Sequence, residues 1–214
     1  LLKAADGLVV SRLERVRGSK STGAVLSGMN TAYEKGRSAT EAVDLDEAIW
    51  TNAELAQAEL TECTYDYAQW FPTAQSRVGE ASMAAKGYPE RVCEWYAEMD
   101  ANQTVCFRTP WGTTDGIPRK VGYPQGALSA AWRSKFPQDP LLRLLEEFGR
   151  PYRLRLPPEV GVEELNEPPK VPVGRAYSDD TRMWTAGWPD LQHNLGIVSY
   201  AAPRLAIGLK PSKM

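Results

Sequence analysis

The sequence lacks the residues on which several common classes of protein depend. Its three cysteines, Cys63, Cys93 and Cys106, are scattered and form no C-x-x-C pair. An odd, scattered set fits a reducing compartment and argues against a disulfide framework or a zinc site. The one histidine, His193, falls on a predicted helix without a ligand partner and is interpreted as structural or exposed.

Long apolar runs and an excess of positive charge are also missing. No run approaches the length of a membrane span, and no signal-peptide pattern opens the sequence, so we expect an intracellular protein without membrane contact. The first residue is Leu1, which is consistent with a fragment or a processed form. Lys and Arg total 25 against 27 Asp and Glu, a less basic balance than nucleic-acid enzymes usually have.

The remaining composition is that of a globular chain of mixed structure. We predict helices over Ala4–Arg17, from the capping box of Ser38 and Glu41 onward, over Ser76–Lys86 and from Pro89 onward. Two helical stretches follow Gly126, and the second of them opens at Asp139-Pro140. A last helix is predicted over Pro189–Ala202. We predict strands over Thr61–Tyr67 and Gln103–Thr109, and a hairpin of Val173–Tyr177 with Thr181–Thr185. Helices and strands that mix without βαβ alternation indicate an α+β fold.

Three segments carry candidate chemistry. They are 64–71 with Asp66, 121–129 with Gln125 and Gly126, and 176–181 with Asp179 and Asp180. Adjacent side chains point to opposite faces within a strand, but a tight turn relaxes that restriction, so all three acids could share one site. Adjacent aspartates at a hairpin tip are also ordinary turn chemistry, and this remains the alternative for the motif taken alone.

Carboxylates in such a group suit two-metal chemistry. Template-directed polymerisation needs a 3′-hydroxyl to attack an α-phosphate in line, and two divalent cations can activate the hydroxyl and neutralise pyrophosphate. Magnesium prefers oxygen ligands and keeps several waters, so two or three carboxylates are enough. The acids are therefore candidate ligands of two Mg²⁺ ions.

Five segments resemble, in order, sequence blocks of the reverse transcriptases of non-LTR retrotransposons and group II introns. Tyr177–Thr181 is similar to their Tyr-Ala-Asp-Asp-Thr signature, and Gly122–Ser129 to their Gly-x-Pro-Gln-Gly-x-x-Leu-Ser segment with one position missing. Asp66–Phe71 resembles their Asp-x-x-x-Ala-Phe-Asp. Asn30–Ser38 resembles the Gly-Arg-Ser block of their fingers, and Gly208–Lys213 their Gly-Leu-x-x-x-Lys block. Five blocks in the family's order are far more specific than any one.

The resemblance implies a polymerase palm, an antiparallel sheet with helices packed on one face, plus helical fingers and no thumb. Partial fingers would span 1–60, the palm with the first acid 61–80, a fingers–palm connection 81–120, and the remaining palm 121–214. That last part contains a proline-rich acidic insertion at 157–172. The implied activity is RNA-directed DNA polymerisation, in which dNTPs are added to the 3′-hydroxyl of a DNA or RNA primer on an RNA template.

The resemblance also implies roles for matching residues. Asp66 and Asp179 would bind both Mg²⁺ ions, and Asp180 would help to hold one. The implied nucleotide-binding residues are Phe71 as the steric gate against a 2′-hydroxyl, Gln125 and Gly126 in the nucleotide and template pocket, Lys213 near the triphosphate, and Arg37 as a phosphate contact from the fingers.

Some features depart from the family. Pro72 stands where the family usually has a second acid, and Trp70 replaces a small residue, so we expect it to crowd the floor of the nucleotide site. A local basic track can still serve a nucleic acid. Its candidates are Arg108, Arg119, Lys120, Arg133, Lys135, Arg150, Arg153 and Arg155.

Two other functions compete with the polymerase. One is a catalytically inactive palm from a decayed element or recruited as a structural subunit with a protein partner; the retention of all three acids argues against it. The other is a viral RNA-dependent RNA polymerase, which Phe71 and Ser178 oppose, since those enzymes usually have an acid and a glycine at these positions.

Overall fold

A computed structural model describes residues 26–33, 37–124, 127, 129–155 and 171–210 of the chain. The helix predicted over Ala4–Arg17 lies outside these residues. So does most of the proline-rich insertion at 157–172.

Helices and short antiparallel strands mix along the described chain, as the α+β prediction required. The helices are α1 Ala39–Leu55, α2 Trp70–Thr73, α3 Ser76–Ala85, α4 Glu90–Ala101, α5 Ala130–Arg133, α6 Lys135–Phe148 and α7 Trp188–Arg204. The strands are β1 Thr61–Asp66, β2 Thr104–Val105, β3 Arg108–Thr109, β4 Gly112–Thr113, β5 Ile117–Pro118, β6 Gly174–Tyr177 and β7 Asp180–Thr185. Among the described helices, none is long and apolar enough to cross a membrane.

The central sheet has the order β1–β7–β6, and both pairings are antiparallel. Further segments extend it at each side. Beyond β1, Tyr67 bridges Leu209, and the Lys210 amide donates to the Asp66 carbonyl at 3.0 Å. Beyond β6, Asn30 forms a parallel bridge with Ala176. Both outer strands of the three-stranded sheet are thus covered near the end that carries the acids.

The hairpin predicted around the two aspartates is confirmed. Strands β6 and β7 pair from Tyr177 opposite Asp180, so Ser178 and Asp179 alone form the loop. Ser178 has φ 61°, a positive value at the first loop position, which type II′ hairpin turns require. The Tyr33 hydroxyl donates to Ser178 Oγ at 3.2 Å and ties this turn to the 26–33 segment.

Helices cover both faces of the sheet, which corrects the expectation of helices on one face. Successive residues of a strand point to opposite sides. Met183 of β7 belongs to the main core with Leu145 of α6, whereas its neighbour Trp184 packs against Ile49 and Ala53 of α1. The physical reason is that β7 carries a large apolar side chain on each face, Met183 on one and Trp184 on the other, and both have to be buried.

Helix α1 is fixed at its start and along its buried side. The Ser38 hydroxyl accepts the Glu41 amide at 3.3 Å, as the predicted capping box requires. Further along, the Asp46 carboxylate accepts from Arg175 at 2.9 and 2.5 Å and from Arg182 at 2.9 Å. Arg175 and Arg182 are direct cross-strand partners, so the carboxylate between them removes a repulsion and holds α1 on the sheet.

On the opposite face, Gln138 of α6 connects three segments that are distant in sequence. Its side-chain oxygen accepts from Asn30 at 2.5 Å, and its amide nitrogen lies 2.9 Å from the Tyr67 hydroxyl and 3.3 Å from Thr181 Oγ1. Gln138 is fully buried, so these bonds satisfy polar atoms that water cannot reach.

Two local predictions were wrong. Helix α6 begins at Lys135, four residues before the predicted cap at Asp139. The Asp139 carboxylate instead accepts the Ser27 amide at 2.5 Å and pairs with Lys86 at 2.7 Å, so long-range contacts use the group that the local pattern assigned to a cap. The single strand predicted over Gln103–Thr109 is divided into β2 and β3, which belong to separate ribbons.

Candidate active site at the acidic end of the sheet

The three candidate acids lie at one end of the central sheet. Asp66 ends β1 and stands directly opposite Asp180, the first residue of β7. Directly opposed residues of an antiparallel pair project to the same face, so Asp66 and Asp180 share a side of the sheet. Asp179 precedes Asp180 in the two-residue loop. The β1–β7 register therefore brings together residues more than a hundred positions apart.

The three carboxylates differ in their access to water. The Asp66 side chain is 7% exposed, Asp179 is half-buried and Asp180 is exposed. The charge of Asp179 also helps to raise the pKa of buried Tyr67, for which burial is the main cause. The site thus passes from a buried acid at β1 to an open one at the hairpin.

Lys210 provides a positive charge at this site. Its Nζ lies 2.6 Å from Asp66 Oδ2, and its backbone amide bonds the Asp66 carbonyl. The pKa of Lys210 is raised, first because its ammonium donates to Asp66, and further because of the charges of Asp66, Asp179 and Asp180. The charges of all three acids therefore act on one ammonium group, and Asp66 is its hydrogen-bonded partner.

Sequence reasoning did not identify Lys210. The resemblance directed attention to Lys213, which lies outside the described residues, three positions along the same Gly-Leu-Lys-Pro-Ser-Lys segment. Lys210 could have been found only from the pairing of 208–210 with the residues at the end of β1, where the Ala68 amide donates to the Gly208 carbonyl at 2.8 Å. That pairing joins positions about 140 residues apart, and no local pattern indicates it.

The donor chemistry of this end of the sheet is that of oxygen ligands. In the part of the chain that the structure describes, no group of three or more His, Cys, Asp or Glu side chains is arranged to hold a metal ion. Carboxylate oxygens on one face are nevertheless the ligand type that magnesium prefers. One of these oxygens, Asp66 Oδ2, is bonded by Lys210.

The aromatic residues after Asp66 separate into a buried pair and an edge residue. Trp70 is 3% exposed and stacks on Tyr67 with ring centroids 4.7 Å apart, within the main core. The expectation that Trp70 crowds a nucleotide-site floor is therefore corrected, because the indole fills the interior. Phe71 is half-buried and packs at the margin of the same core.

The segment that leads to Gln125 and Gly126 lies against the turn that carries Phe71. The Tyr123 amide donates to the Phe71 carbonyl at 2.7 Å, and the Gly122 amide donates to the Ala74 carbonyl at 3.0 Å. Gln125 and Gly126 themselves lie outside the described residues. The segment that ends at Phe71 and the segment that contains Gly122 and Tyr123 therefore meet in space.

Arg133 holds Tyr123 in place and is not available to a ligand. Its guanidinium lies between the rings of Tyr96 and Tyr123, at 4.0 and 4.8 Å from their centroids. It also binds both carboxylate oxygens of Asp100, one of them at 3.2 Å. Burial raises the pKa of Tyr123 far above its ordinary value, although Arg133 opposes the shift, so this residue stays a neutral phenol.

Two members of the predicted basic track were wrongly assigned. Arg133 and Lys135 are 1% and 2% exposed, and Lys135 Nζ donates to the Ala32 carbonyl at 3.0 Å. Both cations are bound to groups inside the protein, because buried charges need fixed partners. They cannot contact a nucleic-acid backbone.

Arg37 lies on the α1 side of the sheet. It is half-exposed and pairs with Glu41 at 3.1 Å, one helical turn on. Both residues line a cavity of about 420 Å³ between α1 and β6, to which Arg175 also contributes. A second cavity of about 300 Å³ on this face includes Tyr177 and Asp180. Open space therefore lies on both sides of Arg175.

Comparisons with known proteins give a structural match. No protein-family model and no curated protein matches the sequence. A solved structure of telomerase from Candida tropicalis, in complex with a TWJ fragment of telomeric RNA, matches with a TM-score of 0.63 at 12% sequence identity. The fold is similar to part of telomerase. The match covers 97% of this chain and 32% of the telomerase chain, so the chain spans about a third of that protein's length.

The likeness to the telomerase structure supports a similar arrangement of helices and strands in this chain. At this level of identity it extends to the fold alone. The residues of the acidic end have to be judged by their own geometry.

Gly122→Ala tests the contact between the Gly122–Tyr123 segment and the Phe71 turn. Gly122 has φ +86°, and an added Cβ would lie 2.3 Å from the Pro72 carbonyl oxygen, so backbone atoms would have to shift. We expect a loss of about 1–3 kcal/mol in the free energy of unfolding, measured by denaturant titration.

The matched control is Gly196→Ala in α7, where an added Cβ meets nothing within 4 Å. Alanine favours a helix over glycine by up to about 1 kcal/mol, so this variant should be as stable as the parent or more so. Equal stability of Gly122→Ala and the parent would contradict the described packing.

Proposed function

We propose that this chain is a reverse-transcriptase-like polymerase domain that adds dNTPs to a primer 3′-hydroxyl on an RNA template. The observation that carries the proposal is the register that brings Asp66, Asp179 and Asp180 to one end of an antiparallel sheet, where the Lys210 ammonium binds Asp66. The likeness of the fold to part of telomerase supports it.

The finer assignment, to the non-LTR retrotransposon and group II intron type, rests on the sequence blocks. Segments that resemble three of these blocks are far apart along the chain and near one another in the fold. Asp66 faces the Asp179–Asp180 hairpin across β1–β7, and Tyr123 bonds the Phe71 carbonyl. A chance resemblance has no reason to bring matching segments together, so this clustering favours the assignment.

We assign Asp66 and Asp179 as the residues that would hold two Mg²⁺ ions, with Asp180 as a further ligand of one. The fit rests on the donor chemistry, because these are carboxylate oxygens at the sheet end and magnesium binds through oxygen. Such ions would activate the 3′-hydroxyl and neutralise the leaving pyrophosphate. Within this set, the β1–β7 register places Asp66 opposite Asp180, and Asp179 lies in the adjoining loop.

Lys210 has a defined role in this proposal. It holds the nearly buried Asp66 in position through a 2.6 Å contact before substrates bind. The Lys210 side chain is 41% exposed, so it can move away at modest cost when other cations approach the acids. Phe71 would then act as the steric gate, because its backbone is fixed by Tyr123 and part of its ring stays accessible.

Lys210→Gln should raise the affinity of the free protein for Mn²⁺, a spectroscopic substitute for Mg²⁺. The substitution removes an ammonium that competes for Asp66 Oδ2. Ion pairs of exposed and half-exposed groups are weak, so we expect a gain of up to about fivefold, measured by electron paramagnetic resonance of free Mn²⁺.

Lys120→Gln is the charge-matched control, since Lys120 is exposed and lies outside the acidic end. Its Mn²⁺ affinity should equal that of the parent. Unchanged or weaker binding by Lys210→Gln would mean that Lys210 does not compete at the metal-binding carboxylates.

Asp179→Asn should abolish primer extension on a primed RNA template with dNTPs and Mg²⁺. The change keeps the size of the side chain but removes a metal-binding charge, which we expect to cost on the order of a thousandfold in rate or more. Asp190→Asn is the control. Asp190 lies on α7, beyond the other end of β7, and pairs with Arg150. Extension that persists in Asp179→Asn would refute the site.

Phe71→Val should let the enzyme incorporate ribonucleotides, because a smaller side chain leaves room for a 2′-hydroxyl. The measurement is the ratio of dNTP to rNTP incorporation, which we expect to fall by about tenfold or more, as loss of a steric contact is worth one to a few kcal/mol. Phe148→Val, at an exposed position that ends α6, is the control. An unchanged ratio would remove Phe71 from the gate role.

A catalytically inactive palm that serves as a structural subunit is the second candidate. The observation in its favour is the Lys210–Asp66 ion pair, since an internal cation can permanently neutralise an acid that no longer binds metal. In that case the folded protein would show no extension with any template. Removal of Lys210 would also leave Mn²⁺ binding unchanged.

A further inference from the structure

Residues 103–121 form a projection, here called the aromatic arm, outside the acidic site. Two antiparallel ribbons build it, β2 with β5 at its base and β3 with β4 at its tip. Every residue of these four strands is exposed. The arm therefore contributes little to the core of the domain.

Large hydrophobic side chains on the arm are exposed to water. Trp111, in the turn between β3 and β4, is 93% exposed, and Phe107 is 57% exposed. Val105 and Ile117, which are paired across β2 and β5, are also exposed, and so is Val121. Exposed apolar side chains gathered on one element mark an interaction site, and a nearly fully exposed tryptophan is costly unless a partner covers it.

Hydrogen bonds hold the arm in a fixed shape. The Phe107 amide donates to Thr114 Oγ1 at 2.9 Å, and the Thr114 amide returns a bond to the Phe107 carbonyl at 3.0 Å. At the tip, Thr109 Oγ1 donates to the Gly112 carbonyl at 2.9 Å and accepts the Trp111 amide at 3.3 Å. The backbone that carries both aromatic residues is therefore set before a partner binds.

The charge of the arm is opposite in sign to that of the chain. It contains Arg108, Arg119 and Lys120 against the single acid Asp115, whereas the whole chain has a net charge of −2. Arg108 and Lys120 are exposed. A positive, aromatic projection on an acidic protein is complementary to an anionic partner with flat apolar groups.

The base of the arm is joined to the proposed nucleotide site. Arg119 donates to the carbonyls of Val121 and Tyr123 at 3.0 and 2.5 Å, and Tyr123 bonds the Phe71 carbonyl. Gln103, at the start of the arm, donates from its side-chain amide to the Asp100 carboxylate, and that carboxylate also binds the Arg133 guanidinium. A ligand on the arm would therefore lie on the element that leads to Phe71.

We propose that the aromatic arm binds single-stranded nucleic acid, with bases stacked on Trp111 and Phe107 and the backbone contacted by Arg108 and Lys120. Aromatic stacking platforms beside cationic residues suit single strands of any sequence, because every base has a π-face. A protein partner would use the apolar surface but would not require the local excess of positive charge. The proposal rests on the polymerase function only for the class of ligand, since binding here needs neither metal nor dNTP.

The test is the binding of a fluorescent 20-nucleotide single strand, as RNA and as DNA, to the full chain in EDTA. Trp111→Ala should weaken binding by about five- to a hundredfold, the range that loss of one base–aromatic stack gives. Phe107→Ala should act in the same direction. Trp188→Ala is the control, since Trp188 is 56% exposed at the start of α7, beyond the far end of β7 from the acids.

Two further readouts separate stacking from charge. Trp111 emission should be quenched by the oligonucleotide in the parent, and that quenching should disappear in Trp111→Ala. Arg108→Gln should keep the quenching but reduce the slope of log affinity against log salt by about 0.7, the value for one phosphate contact on a single strand.

Parent-like binding by both Trp111→Ala and Phe107→Ala would overturn the proposal, and so would an equal loss in Trp188→Ala. If the parent fails to extend a primer but its binding depends on Trp111, the arm assignment stands and the polymerase assignment falls. If extension depends on Asp179 but strand binding does not depend on Trp111 or Phe107, the reverse holds.

Discussion

The register of β1 against β7 is the constraint on which the rest of the structure depends. It runs from Thr61 opposite Thr185 to Asp66 opposite Asp180. A slip of one residue would send one of these acids to the other face, because side chains alternate along a strand. Helices on both faces oppose such a slip. Gln138 bonds Tyr67 and Thr181 on one side, and Asp46 binds arginines of β6 and β7 on the other.

Charge at the acidic end follows from that register. The register places the nearly buried Asp66 carboxylate beside two more accessible carboxylates. Three negative charges in one region of the protein need a positive partner. Lys210 supplies it, because the 208–210 segment pairs with the end of β1. Under the proposed function, the same ammonium would compete with a metal ion for Asp66 Oδ2, so Lys210 would connect the stability of the fold to the proposed chemistry.

The parts of this structure that the sequence predicted depend on neighbouring residues. The start of α1 at Ser38 and the hairpin around Ser178–Asp179 are local signals, and both are confirmed. The parts that it missed depend on contacts between distant segments. Asp139 carries the pattern of a helix cap but is held by Lys86 and Ser27. For the same reason, no local pattern could show that Arg133 is buried between two tyrosines or that Lys210 reaches Asp66.

The most direct test of the account is a crystal structure of the full chain with Mn²⁺, a primed RNA template and a non-hydrolysable dNTP analogue, with anomalous scattering used to locate the metal. The account predicts manganese peaks between Asp66 and Asp179, with the Lys210 ammonium displaced from Asp66. An intact Lys210–Asp66 ion pair with the nucleotide and manganese bound elsewhere, in a complex with ordered template, would contradict it.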